Sequence, residues 1–126
     1  MADQHPPLTA MWVSHWLRDN KVPPGAILID DRDNPFTSIA DGEHGTEFGV
    51  HPVVMLGRDG EGPVTVEAYQ QWLAEHEPPA GRRLAGEFYD TGLDLGSQYF
   101  RDLGESYGDG PDEHEIVAVR LQLRWG

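Results

Sequence analysis

The fold turns on the stretch AILIDDRDNPFTSIADGEHGTEFGVHPVVML, residues 26–56. AILID (26–30) is a short aliphatic run rich in β-branched residues and reads as a buried strand, and DDRDNP after it supplies turn chemistry. FTSIA (36–40) reads as a weaker strand that pairs back as a hairpin. EFGVHPVVML (47–56) is a further extended run in which Pro52 interrupts the ladder, which suits an edge strand, a bulge or two shorter pieces. Strands that follow one another with no helix between them exclude a doubly wound fold, and no glycine-rich phosphate loop opens a helix.

Outward from this stretch, LTAMWVSHWLRDN (8–20) places Leu8, Met11, Trp12, His15 and Trp16 at helical spacing and predicts one apolar stripe. Prolines frame it on both sides, and Asn20 suits its C-terminal end. In VTVEAYQQWLAEHE (64–77), Val66, Tyr69, Leu73 and His76 recur at helical intervals, with Trp72 beside them and Thr65 as N-cap. A third helix is expected over 96–103, burying Tyr99, Phe100 and Leu103. The chain closes on EIVAVRLQLRW (115–125), a β-branched strand whose broken parity predicts a bulge near Arg120. This order predicts an α+β fold: a small single domain, residues 1–126, with an antiparallel or mixed sheet and two or three helices packed on one face. The predicted core is Trp12, Trp16, Ile27, Ile29, Val54, Tyr69, Leu73, Val117, Val119 and Leu121.

Composition narrows the function. The 126 residues are one domain's length, and 15 Gly with 10 Pro predict long, irregular loops around the core. No cysteine is present, which removes disulfides, thiolate metal sites and thiol nucleophiles. MADQHPPL has no basic n-region and the apolar run at 11–13 is short, so a cytoplasmic protein is expected. The 22 acids against nine bases give a formal net charge of −13, with Lys21 the only lysine. Such a field repels nucleic acid and anionic membranes. Residues 1–63 carry ten acids and four bases and residues 64–126 twelve and five, so the excess runs through the whole fold.

Three constellations bear on chemistry. DGEHGTEFGVH (41–51) holds His44, Glu47 and His51, a metal-ligating set only if the three converge at about 2 Å from one ion. The histidines lie seven apart, not at the i, i+4 spacing of HExxH, and Gly42, Gly45 and Gly49 oppose a helix. The competing reading is a glycine-rich connection with its histidines in water. ILIDDRDNPFT (27–37) resembles over fewer than ten residues the strand-end DxD with which phosphotransferases hold magnesium, through Asp30, Asp31 and Asp33. Phe36 stands where a calcium loop needs glycine, and a turn rich in Asx residues accounts for the acids better. No serine sits in a GxSxG elbow.

The last constellation is a segment. Between Leu84 and Glu115 nine acids face Arg101 alone, with aromatics interleaved. The function expected from this is a non-enzymatic acidic binding or inhibitor protein, of the immunity-protein or phage-inhibitor type. It would occupy a basic surface of another protein, such as a nucleic-acid-binding site. Partner contacts are expected from Glu87, Asp90, Asp94, Tyr99, Asp102, Glu105 and Tyr107, with no cofactor, no metal, no catalytic residue and no direct contact with nucleic acid or membrane. The alternative is a small metal-dependent hydrolase with His44, Glu47 and His51 as ligands.

Overall fold

The computed structural model describes residues 8–46, 48–90, 93–108 and 116–122, with 46, 88–90, 93–98 and 105–108 described by backbone alone. Helix α1 is Ala10–Asp19, capped by Thr9, whose hydroxyl accepts from the Trp12 amide at 3.1 Å, and ended by Asn20. Strands β1 (Ile27–Ile29), β2 (Ser38–Thr46) and β3 (Gly49–Gly57) follow. Helix α2, Val66–His76, starts at the Thr65 cap anticipated from sequence. Strands β4 (Arg83–Asp90), β5 (Leu93–Tyr99), β6 (Asp102–Gly108) and β7 (Ile116–Gln122) complete the order. The fold is α+β, with two helices among the described residues.

Among the described residues there are two sheets, both mixed. One runs β1-β7-β6, with β1 parallel and β6 antiparallel to β7; the other runs β2-β3-β4-β5, with a single parallel pair, β3 to β4. One apolar core joins them: Leu28, Val119 and Leu121 meet Val54, Leu56 and Leu84, and Val13, Leu17, Tyr69 and Leu73 of the helices close over them. Phe36 and Phe100 are fully buried at its centre, edge to face at 5.5 Å. Burying a side chain of this size contributes about 1.5–3 kcal/mol.

Asp30, only 1% exposed, stands where the chain leaves one sheet for the other. Its carboxylate accepts from the backbone amides of Arg32 at 2.8 Å and Asn34 at 2.9 Å and is ion-paired with Arg58 from the end of β3. Asp33, with φ of +66°, pairs with Arg120 of β7. The DxD carboxylates are thus engaged in holding an Asx turn and its two neighbouring strands, and Asp31 is exposed.

Several expectations are corrected. Residues 96–103 are not helical: β5 ends at Tyr99 and β6 starts at Asp102. Phe100 and Arg101 carry the chain between sheets, their amides donating to Leu84 and Gln122 at 3.1 and 2.9 Å. Aromatic spacing that fits a helix here marks a sheet-to-sheet crossing. Helix α1 buries Ala10, Val13 and Leu17, whereas Trp12 is 49% exposed and Trp16 half-buried. The Tyr69 hydroxyl of α2 donates to the Ala10 carbonyl at 2.6 Å, and it is Ala10, Val13 and Leu17 that the core takes from α1. Ile27 and Val117 are likewise only half-buried.

Residues 26–40 form only an abbreviated hairpin, in which the Phe36 amide donates to Leu28 at 3.1 Å. The long hairpin is β2–β3, in register from Ser38↔Gly57 to Thr46↔Gly49. Pro52 does not break β3. Pairing with β4 begins one residue later, at Val53↔Arg83, so the missing N–H falls where the strand has β2 as its one sheet neighbour. Near Arg120 the extra residue lies on the partner strand, since Leu103 faces Leu121 and Ser106 faces Val119.

Candidate functional site

The sheet β2-β3-β4-β5 positions the site because it coils. In a flat sheet β2 and β5 would be about 14 Å apart, three strand spacings. Here the rings of His44 on β2 and Tyr99 on β5 have centroids 4.0 Å apart. The inner face therefore curls around Val53, Met55 and Ala85, a second buried cluster against which Tyr99 packs. Alternation along paired strands puts Ser38, Ala40, Gly42 and His44 of β2 on this face, with His51, Val53, Met55 and Gly57 of β3 and Arg83, Ala85 and Glu87 of β4.

At one end of the face is an acidic recess of about 170 Å³, lined by Ser38, Ala40, Asp41, Gly42, Glu43, Met55, Gly57, Asp59 and Glu87. Its floor is open because β2 presents small side chains. A Cβ at Gly42 would meet that of Met55 at 2.8 Å, and one at Gly57 would meet the Ser38 hydroxyl at 2.9 Å and the Glu87 carboxylate at 3.2 Å. Glu87 is half-buried at the recess, exposed Asp59 stands over it, and Asp41 and Glu43, of opposite parity, form the rim. Among the described residues four acids and no basic residue line it. In water-accessible surroundings these carboxylates, of which Asp41 alone has an arginine, Arg82, at 3.9 Å, create a local negative potential that attracts a cationic head.

At the other end the histidines of the 41–51 stretch are in direct register, His44 opposite His51, within paired strands and not on a solvated connection. His44 is half-buried against Tyr99, and the Arg83 guanidinium carbon lies 5.2 Å from the centroid of the same ring. Glu47 lies outside the described residues. Among the described residues no group of three or more His, Asp or Glu is placed to hold a metal ion.

The seven residues expected to contact a partner divide between the sheets. Glu87 lines the acidic recess, and Tyr99 packs against His44 at the far end of the same face. Asp90 ends β4 and Asp94 lies on β5, while Asp102, Glu105 and Tyr107 belong to β6 of the other sheet. Asp102, half-buried, accepts from its neighbour Leu103 at 2.8 Å. The side chains of Asp90, Asp94, Glu105 and Tyr107 lie outside the described residues, as do residues 109–115. Sequence reasoning missed Ser38, Gly42, Gly57 and Asp59. Its one available signal was the alternation of small residues at 38, 40 and 42, which leaves one sheet face without bulk.

No helix among the described residues is long and apolar enough to cross a membrane. Compared with protein-family models, with curated proteins and with solved structures, the chain matches none.

Proposed function

We propose that this is a non-enzymatic binding protein whose acidic surface engages a basic surface of another protein, in the manner of an immunity protein or inhibitor. The observation that carries the reading is the acidic recess at Glu87 and Asp59, which among the described residues has no basic residue in its wall, on a chain of net charge −13. At about 170 Å³ it is smaller than the roughly 300–1,000 Å³ of small-molecule sites and suits one arginine or lysine head. Charge complementarity of this kind steers encounter and sets specificity more than it adds raw affinity. A partner that presents arginines to nucleic acid is the matching chemistry, and occupation of those arginines would block that site.

The test uses an arginine-rich peptide as cationic probe, followed by amide chemical shifts. The reading expects shifts centred on residues 38–43, 57–59 and 87, lost in Asp59→Lys/Glu87→Lys and kept in Asp19→Lys/Asp31→Lys. Equal loss in both variants would reduce the effect to overall charge and remove the recess from the account.

The metal-dependent hydrolase is a second reading, favoured by the register of His44 with His51. Arg83 at the same corner opposes a cation there. Thermal shift with Zn²⁺, Mn²⁺ or Ni²⁺ separates the two readings, because a metal held by converged ligands stabilises the native state by mass action.

A further inference from the structure

Where β4 begins, the protein carries a second recess, of about 290 Å³, with the opposite character. Its wall is His51, Pro52, Pro79, Gly81, Arg82 and Arg83. It opens because the β2–β3 arm runs past the start of β4: β3 begins at Gly49, but β4 first pairs with it at Val53. The notch is closed below by the turn in which the Arg82 amide donates to the Pro79 carbonyl at 2.9 Å. Two of the chain's nine basic residues and a histidine meet here, and no acid is in the wall among the described residues.

We propose that this recess binds an oxyanion, the carboxylate or phosphoryl group of a ligand. Three features support it. Both arginines have contacts that leave donors over: Arg83 is exposed, with its guanidinium carbon 5.2 Å from the centroid of the Tyr99 ring. Arg82 touches the exposed carboxylate of Asp41 only at 3.9 Å, beyond hydrogen-bonding range. A guanidinium has five N–H donors in a planar fork that matches two oxygens of one anion. The walls are rigid as well, since prolines at 52 and 79 fix their own φ angles, so little ordering is required on binding. Finally, the net field of the chain is negative, so a local concentration of cations is not explained by bulk composition.

The experiment is an amide chemical-shift titration of the full chain with sodium phosphate at constant ionic strength, balanced with sodium chloride, and a parallel titration with sodium acetate. The expected result is saturable shifts at His51, Gly81, Arg82 and Arg83, with affinity about tenfold weaker in Arg83→Gln, the loss of one charge-assisted contact. Arg18→Gln, on the exposed face of α1, should bind as the unchanged protein does. Arg83→Lys keeps the charge and loses the fork, and an affinity between the other two supports the geometry should Arg83→Gln not fold. Saturation by both anions assigns the site to carboxylates as well; saturation by phosphate alone assigns it to phosphoryl groups. Shifts that rise linearly without saturating, or Arg83→Gln and Arg83→Lys both binding as the unchanged protein does, would overturn the proposal.

Discussion

The pair formed by Asp30 and Arg58 makes an asymmetric prediction. The Asp30 side chain is 2% exposed and that of Arg58 33%, so Asp30 is the partner that depends on the contact. In Arg58→Ala the carboxylate stays buried with only the amides of Arg32 and Asn34 to offset its lost hydration. Breaking a fully buried pair from one side costs about 3–5 kcal/mol. Water reaches the part-exposed Arg58 position and lowers the expected cost to about 2–3 kcal/mol. In Asp30→Ala/Arg58→Ala no charge is stranded, and the amides of Arg32 and Asn34, both on exposed residues, turn to solvent. The double variant is therefore expected to be more stable than Arg58→Ala alone, by about 1 kcal/mol. Urea unfolding of the four proteins at pH 7, with the slopes compared to confirm two-state behaviour, measures this. A double variant less stable than Arg58→Ala would refute the reasoning and show that Asp30 acts mainly through the turn amides.

Burial pushes the Tyr69 phenol well above its usual range. A group whose folded pKa is raised contributes stability that is complete below the unfolded value, about 10 for tyrosine, and is lost as pH rises beyond it. Alkaline unfolding should accordingly start above about pH 10, with Tyr69 ionising only as the chain opens, which ultraviolet titration follows. Tyr69→Phe removes this buried hydrogen bond, while the Ala10 carbonyl keeps its place in the first turn of α1, and should cost about 0.5–1.5 kcal/mol and move that onset to higher pH. Leu73→Ala, at a position 5% exposed, should cost about 2–5 kcal/mol in chemical denaturation, and a loss below about half a kcal/mol would mean that α2 presents another face. Gly60→Ala should destabilise the turn after β3, because a Cβ there collides with the Thr37 carbonyl oxygen; unchanged thermal stability would contradict that approach.

Legibility in the sequence followed the local physics. Helix α2 was readable in detail, from its Thr65 cap to its Val66, Tyr69 and Leu73 face, because cap chemistry and period both lie within one turn of each residue. Helix α1 was readable as a helix but not in its phase. Apolar size pointed to Trp12 and Trp16, whereas the core takes Ala10, Val13 and Leu17. Tyr99 and Phe100 were misread for a related reason, since adjacent aromatics fit a helix as well as a crossing between two sheets that only long-range pairing defines. Of the four acids at the recess only Glu87 was among the expected partner contacts, because Asp41, Glu43 and Asp59 come to it from segments far apart in sequence. The histidines of 41–51 stood out, but the register that sets His44 opposite His51 and the coil that brings His44 to Tyr99 depend on the same long-range pairing.

The most direct test of the acidic-surface account is the association rate with an arginine-rich probe as salt rises. The Debye length falls from about 10 Å at 0.1 M to about 3 Å at 1 M, so steered encounter should slow steeply over that range. Asp59→Lys/Glu87→Lys should both lower the rate at low salt and flatten its salt dependence, while Asp19→Lys/Asp31→Lys, which changes the net charge equally, should retain most of both. A rate independent of salt, or one lowered equally by the two variants, would contradict the claim that this recess is where a cationic partner docks.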